Sequence, residues 1–152
     1  MYSKKLQELG ITLPLAPKPL AAYIPVLREG NSIFTAGQLP FVEGKLKYEG
    51  KIGADVTLEQ GKEAAKICAI NCLSAIQFEI GNIDNIERII KLTVFVNSAD
   101  GFTKQPQVAN GASEFLVEVF GENGKHVRSA VGVNELPINA PVEIEMIAKV
   151  KN

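Results

Sequence analysis

Residues 142–150 alternate more regularly than any other stretch, and they constrain the fold most. Neighbouring side chains of a β-strand point to opposite faces, so every second residue shares a face. One face would carry Val142, Ile144, Met146, Ala148 and Val150, and the other Glu143, Glu145, Ile147 and Lys149. The pattern predicts a strand whose first face lies in the core and whose second face is half apolar.

Two stretches have the apolar spacing of helices. The first is predicted to begin with a capping box at Thr57-Leu58-Glu59-Gln60 and to run to Ile80, with Gly81 as the residue after the helix. One of its faces carries only small residues, which would let it lie close to a sheet: Ala64, Ala65, Cys68, Cys72 and Ala75. The second is predicted from about Gln105 to Gly121, with Val108, Ala112, Phe115, Leu116 and Val119 as its apolar stripe.

The remaining pattern predicts a short helix over residues 3–9 and five more strands. The strands are Tyr23–Leu27, Ser32–Ala36, a short one near 46–48, Ile86–Asn97 with Ile90, Leu92, Val94 and Val96 on one face, and Val127–Val133. The main order is β-β-β-α-β-α-β-β. Two helices on one face of a mixed sheet of about six strands give an α+β domain of two layers.

The 152 residues are expected to form a single domain, 1–152, in which 1–20 is an N-terminal leader containing Pro14, Pro17 and Pro19. The second sheet face has no lid in this arrangement. It would carry Ile147 and Phe95 beside Glu143 and Arg128. Because a half-apolar open face favours a partner, we expect the chain to self-associate.

Charge and composition narrow the classes of function. The chain has 16 Lys and Arg against 17 Asp and Glu, a formal net charge of -1. This lacks the basic excess that drives binding to nucleic acid, so a nucleic-acid partner is not expected. No apolar run approaches the length that spans a bilayer, so no membrane partner is expected. Two cysteines and no signal peptide indicate the cytoplasm.

Arg128 is the first candidate for chemistry. By alternation it shares a strand face with Ala130 and Gly132, whose small size leaves space beside it. A guanidinium there could hold a carboxylate through two hydrogen bonds. The alternative is a solvated or ion-paired arginine on a strand.

Glu143 and Glu145 are the next candidates, since they share a face of the last strand. If the last two strands pair as a hairpin, one Glu and Arg128 could face the same cavity, where the Glu could orient or deprotonate a water. The alternative is a cross-strand ion pair. His126 is expected at the surface, and Cys68 and Cys72 in the core; neither suggests a metal site, and we expect no metal.

Three stretches resemble the Rid family, the reactive intermediate deaminases, also called YjgF-like or L-PSP endoribonuclease-like proteins. They are Ile33-Phe34-Thr35-Ala36-Gly37-Gln38-Leu39-Pro40, Arg128-Ser129-Ala130-Val131-Gly132-Val133-Asn134-Glu135-Leu136-Pro137, and Val142-Glu143-Ile144-Glu145-Met146-Ile147-Ala148. The resemblance implies a chorismate-mutase-like fold and a homotrimer with ligand clefts between subunits. It also implies hydrolysis of reactive enamines and imines, such as 2-aminoacrylate, to 2-keto acids and ammonia, without a cofactor.

The same resemblance implies roles for individual residues. Arg128 would bind the substrate carboxylate and Glu143 would position the attacking water. Tyr23 and the backbone near Gly37 would line the cleft, and Asn110, which falls near a family Asn, could face a neighbouring subunit. Two positions depart from the family: Ala130 stands where active members carry Cys, and Ala36 where they often carry Ser. This marks a divergent subgroup with a more apolar cleft.

Three other functions stay open at this point. The cleft could bind a small keto acid without catalysis, which the two alanines slightly favour. The chain could be an endoribonuclease, against which the charge and the single histidine argue. It could also be a structural trimer with no ligand.

Overall fold

The protein is described by a computed structural model that covers residues 1–16 and 22–152. Its main sheet has five strands, and a separate two-stranded hairpin lies outside it. The strands are β1 (Val26–Glu29), β2 (Ser32–Thr35), the hairpin strands β3 (Phe41–Val42) and β4 (Lys45–Leu46), then β5 (Ile86–Asn97), β6 (Val127–Val133) and β7 (Val142–Val150). The order in the main sheet is β1-β2-β7-β5-β6, and only β5 and β6 run parallel.

Three helices complete the domain: α1 (Tyr2–Glu8), α2 (Leu58–Ile80) and α3 (Gln105–Phe120). The two long helices bury their apolar stripes against one face of the sheet, so the expected two-layer α+β architecture is confirmed. The predicted bounds of α2 also hold. The Thr57 hydroxyl accepts from the Gln60 amide, the Gln60 side chain accepts from the Thr57 amide, and Gly81 ends the helix at φ 78°.

The small-residue face of α2 packs directly on β7. The thiols of Cys68 and Cys72 are fully buried and donate to the carbonyls of Val142 and Ile144, at 3.6 and 3.4 Å. Burial raises the pKa of Cys72 to about 12 and the pKa of Cys68 well above its usual range. The two cysteines are therefore neutral core residues, as predicted.

The two long helices approach each other closely at Gly111 of α3. A Cβ on that residue would lie 2.8 Å from Cα of Lys62 in α2 and closer still to its carbonyl group. Real Cβ atoms essentially never come that near to backbone, so the crossing requires glycine.

Three details of the strands differ from the prediction. The strand expected near 46–48 is β4, which pairs with β3 outside the main sheet, so the main sheet has five strands. The first strand begins at Val26 and not at Tyr23, because Pro25 has no N–H to donate to a neighbouring strand. In β5 the pairing with β7 shifts between Ile89 and Lys91, so Ile89 is buried and Ile90 is only half-buried. A single irregularity of this kind moves a residue off the face that simple alternation assigns.

The leader is described only in part. Its helix α1 covers the predicted stretch, and Pro14 accepts a hydrogen bond from Ser74 of α2. The prediction of an extended segment also covers Pro17 and Pro19, which lie outside the described residues. Within the described ranges, no helix is long and apolar enough to cross a membrane.

The second face of the sheet is uncovered, as predicted. One cross-strand row on this face consists of Leu27, Phe34 and Ile147. A second row has Phe95 of β5 in its centre, paired with Glu143 of β7 on one side and with Val131 of β6 on the other. Leu27 is 53% exposed and Val131 44% exposed. Arg128 does not belong to this face, and its position defines the candidate site.

Candidate functional site

Arg128 lies on the edge strand β6 and points toward the helices. Its partner in β5 is Leu92, which is fully buried beneath α2 and α3. The expectation that Arg128 shares the uncovered face with Glu143 is therefore wrong. The predicted alternation is right, but the face with Ala130 and Gly132 is the one that lies under the start of α3. These small residues leave room for a guanidinium between strand and helix.

The guanidinium is held by α3. Its NH1 nitrogen donates to Oδ1 of Asn110 at 2.9 Å and to Oγ of Ser113 at 3.0 Å. Its NH2 nitrogen makes one longer contact, 3.4 Å to the carbonyl of Pro106. No described residue accepts from Nε. The side chain is therefore half-buried and fixed, with donors still available to a ligand.

A histidine completes this cluster. Oγ of Ser113 lies 2.9 Å from Nε2 of His126, whose Nδ1 lies 2.6 Å from the carbonyl of Gly124. His126 is half-buried and does not have the surface position that we expected. Its pKa is lowered by burial and, secondarily, by the charge of Arg128, while the bond to Gly124 opposes that shift.

The Rid resemblance pointed to Asn110, but the sequence analysis did not single out Ser113 or expect His126 beside Arg128. The signal for Ser113 is its spacing, because residues three apart lie on the same face of a helix. Ser113 thus had to stand beside Asn110 once α3 was assigned. No sequence spacing reports that His126, which precedes β6, reaches back to that helix.

Glu143 lies on the uncovered face, against Gly37. A Cβ on Gly37 would lie 2.8 Å from the carboxyl carbon of Glu143 and closer still to Oε1. A two-bond backbone bridge between Gln38 and Ile144, at 2.8 and 3.0 Å, holds the two segments together. Glu143 is half-buried, and burial raises its pKa, with a smaller contribution from the charge of Glu145, which is itself exposed. Of the two glutamates on this face of β7, Glu143 is therefore the one that lies against the turn at Gly37.

The other predicted residues divide between these two places. Ala130 is half-buried beside Arg128 and packs on the core. Ala36 precedes Gly37, and its amide donates to the Pro25 carbonyl at 2.8 Å. Tyr23 lies two residues before that bond and is 63% exposed. There are therefore two half-sites: the Arg128 half-site with Asn110 and Ala130, and the Glu143 half-site with Gly37, Ala36 and Tyr23 on the adjoining segments.

The two half-sites lie on opposite faces of one sheet. The strands β6 and β7 do not form the hairpin that the sequence suggested, because β5 lies between them. Across that sheet Arg128 is in register with Leu92 and Met146 on the helix side. One chain alone therefore gives no cavity that contains both Arg128 and Glu143.

Metal sites and large cavities do not coincide with these residues. The described part of the chain holds no group of three or more metal-ligating side chains. A cavity of about 610 Å³ lies beside the β3–β4 hairpin and is lined by Phe41, Tyr48 and Ile138 among others, none of them a predicted site residue. The charged groups of the two half-sites are therefore the guanidinium of Arg128 and the carboxyl group of Glu143.

Comparison with known proteins extends over almost the whole chain. The family model described as "YjgF/chorismate mutase-like, putative endoribonuclease" matches residues 3–150. Protein TCP17 of Trypanosoma cruzi is 42% identical over 148 residues, 97% of this chain and 92% of that protein. The 2-iminobutanoate/2-iminopropanoate deaminase of Escherichia coli K12 is 31% identical over 135 residues, 88% of this chain and 91% of that protein.

A solved structure agrees with the fold. The protein Atu1372 from Agrobacterium tumefaciens, described as of unknown function, superposes with a TM-score of 0.92 at 41% identity. The superposition covers 99% of this chain and 92% of that one. The chorismate-mutase-like arrangement of helices on a mixed sheet is thus shared with experimental structures.

Proposed function

The chain belongs to the YjgF-like family, and on that premise we propose that it hydrolyses 2-imino acids and their enamine forms to 2-keto acids and ammonia. A relative with 31% identity is named as a deaminase of 2-iminobutanoate and 2-iminopropanoate. Both are small imines that carry a carboxylate, and the Arg128 half-site has the chemistry to bind such a group. The observation that carries the proposal is the guanidinium of Arg128, anchored through NH1 with Nε and most of NH2 left for a ligand.

We further propose that the active site forms between copies of the chain. Because Arg128 and Glu143 lie on opposite faces of the sheet, they can meet only when the Arg128 edge of one copy meets the uncovered face of the next. Contacts between two different patches generate rings when the rotation closes. A homotrimer with three shared clefts, which the Rid resemblance implies, satisfies this requirement and covers the apolar open face.

The reaction in such a cleft needs little acid–base machinery. Arg128 of one copy holds the substrate carboxylate, and the ionised Glu143 of its neighbour accepts a hydrogen bond from a water. The water oxygen forms a bond to the electrophilic imine carbon while the π pair of the C=N bond moves to nitrogen, which takes up a proton from the water. The resulting carbinolamine breaks its C–N bond as its hydroxyl proton passes to the nitrogen. Ammonia leaves, the carbonyl forms, and no redox change occurs. Holding the carboxylate and the water in line supplies the acceleration by proximity.

The residues at the sides of the cleft determine which substrate side chains are accepted. Ala36 and Ala130 present methyl groups where the Rid resemblance implies a frequent Ser and a Cys. We therefore expect apolar side chains, such as the ethyl group of 2-iminobutanoate, to be accepted more readily than polar ones.

The test is the hydrolysis of an imine that an amino-acid oxidase generates in situ, measured as keto acid formed above the spontaneous rate. Arg128→Ala and Glu143→Gln should each abolish the acceleration. Arg28→Ala is the matched control, since among the described residues Arg28 bonds to the carbonyls of Gly30 and Lys151, at the far edge of the sheet. Saturable binding of 2-oxobutanoate without any acceleration by the wild type would identify a non-catalytic binder instead.

Mixing the two inactive variants tests the shared cleft. If each cleft takes Arg128 from one copy and Glu143 from the next, an equal mixture of variants, unfolded and refolded together, rebuilds intact clefts at about a quarter of positions. Activity should return to roughly that fraction of wild type. A mixture as inactive as its components would refute the assembly of the site from two chains.

A further inference from the structure

We propose that Ser113 and His126 are positioning residues for substrate binding, because they fix the direction of the Arg128 guanidinium through a chain of hydrogen bonds. The inference rests on the proposed role of Arg128 as the carboxylate ligand. Neither residue touches the substrate. Both act through the NH1 nitrogen of Arg128.

The geometry fixes which group donates and which accepts in each of these hydrogen bonds. A carbonyl can only accept, so the contact of 2.6 Å to Gly124 requires that Nδ1 of His126 carry a hydrogen. In the neutral ring Nε2 is then an acceptor, and the Ser113 hydroxyl donates to it across 2.9 Å. The hydroxyl oxygen keeps its lone pairs for the NH1 donor of Arg128 at 3.0 Å. The burial that lowers the pKa of His126 favours this neutral form.

These hydrogen bonds use both hydrogens of the NH1 nitrogen of Arg128. One is donated to Asn110 and the other to Ser113, and two acceptors on the same nitrogen fix the plane of the guanidinium as well as its position. The edge formed by Nε and NH2 is left for the ligand, and this edge matches the two oxygens of a carboxylate. Without the hydroxyl, only the bond to Asn110 and the longer contact to the Pro106 carbonyl would remain, and they would hold the plane less firmly.

The His126 ring has a specific part in this arrangement. A serine hydroxyl can rotate to donate elsewhere, and its lone pairs would then no longer face Arg128. Because Nε2 accepts the hydroxyl hydrogen, the lone pairs of Ser113 are directed at the guanidinium. The Gly124 carbonyl, at the turn between α3 and β6, in turn fixes the tautomer of the ring.

Kinetics of the variants separate positioning from a merely structural role. Ser113→Ala leaves Arg128 and its bond to Asn110 in place, so the carboxylate still binds in the same position but more weakly, and the loss should appear in KM rather than in kcat. For Ser113→Ala we expect KM for the imino acid to rise about tenfold, the effect of weakening one hydrogen bond to a charged group. Ser113→Thr keeps the hydroxyl and should restore KM to near the wild-type value. His126→Phe should raise KM like Ser113→Ala, and the double variant should be no worse than either single one.

Each outcome decides the question. A raised KM with the Thr rescue supports the inference, and an unchanged KM in both Ser113→Ala and His126→Phe overturns it. A lower kcat at constant KM also overturns it. That result would mean that the substitutions only reduce the fraction of folded protein, so that the two residues stabilise the fold and do not position Arg128. Arg128→Ala separates the two proposals: if it weakens turnover while Ser113→Ala does not, only this inference fails, and if it has no effect, the proposed function fails with it. Without turnover, the same comparison is made on the Kd of 2-oxobutanoate by calorimetry.

Discussion

Gly37→Ala tests the proposed role of Glu143 without changing any ionisable group. The new Cβ would lie 2.8 Å from the carboxyl carbon, whereas ordinary contact begins at 3.4 Å, so that carbon must retreat by about 0.6 Å and Oε1 by more. The displaced atoms are the end of a flexible side chain, and the φ of Gly37 is not in the left-handed region. The protein should therefore fold normally. A displacement on the order of 1 Å costs about 10²-fold in rate when a reaction depends on alignment.

We expect Gly37→Ala to lower kcat about 10²-fold, with KM and the thermal midpoint close to wild type. The assay is imine hydrolysis, together with a melting curve at equal protein concentration. The control is a double-mutant cycle with Glu143→Gln. If the methyl group acts only by moving the carboxylate, Gly37→Ala should add little to the loss in Glu143→Gln. Wild-type kcat in Gly37→Ala, or fully multiplicative losses in the double variant, would refute the reasoning.

Three further predictions concern charge and stability. Because Glu145 helps to raise the pKa of Glu143, and Glu143 must be ionised to hold the water, Glu145→Gln should shift the acidic limb of the kcat/KM profile to lower pH; an unshifted limb contradicts this. Thr57→Ala should lower the free energy of unfolding in urea by about 1 kcal/mol, and Thr57→Ser should lower it less. Gly111→Ala should reduce the same free energy by roughly 1–3 kcal/mol, because its methyl group meets the backbone of Lys62.

The elements with strong local signals are predictable from sequence. The capping box at Thr57, the glycine after Ile80 and the alternation of Val142–Val150 all report on neighbours within a few residues, and all three were confirmed. Asn110 was also placed correctly off the core stripe of α3. At these positions the local backbone preference and the burial in the fold favour the same structure, so the sequence pattern predicts that structure correctly.

Details that depend on the neighbouring strand were not predictable. The shift in pairing near Ile89 buries Ile89 and leaves Ile90, the residue expected in the core, half-buried. Nothing in the composition of β5 marks the position of this shift. His126 was assigned to the surface because no His or Cys lies near it in sequence to suggest a metal site. The Gly124 carbonyl is a local partner two residues away, but Ser113 becomes a neighbour of His126 only when α3 packs over β6.

The largest error, a hairpin between β6 and β7, has a topological origin. A strand–helix–strand unit places β6 parallel to β5, so β7 can pair with β5 only on its other side. Arg128 and Glu143 are 15 positions apart in sequence but have a whole strand between them and face opposite layers. A twofold dimer joined through the uncovered faces would bring two Glu143 half-sites together and leave both Arg128 half-sites outside. Only a contact of edge with face unites them, and in the homotrimer that the Rid resemblance implies each copy offers one edge and one face, which gives three shared clefts. Sedimentation equilibrium should therefore give the mass of three chains, and a particle of two would contradict this assembly.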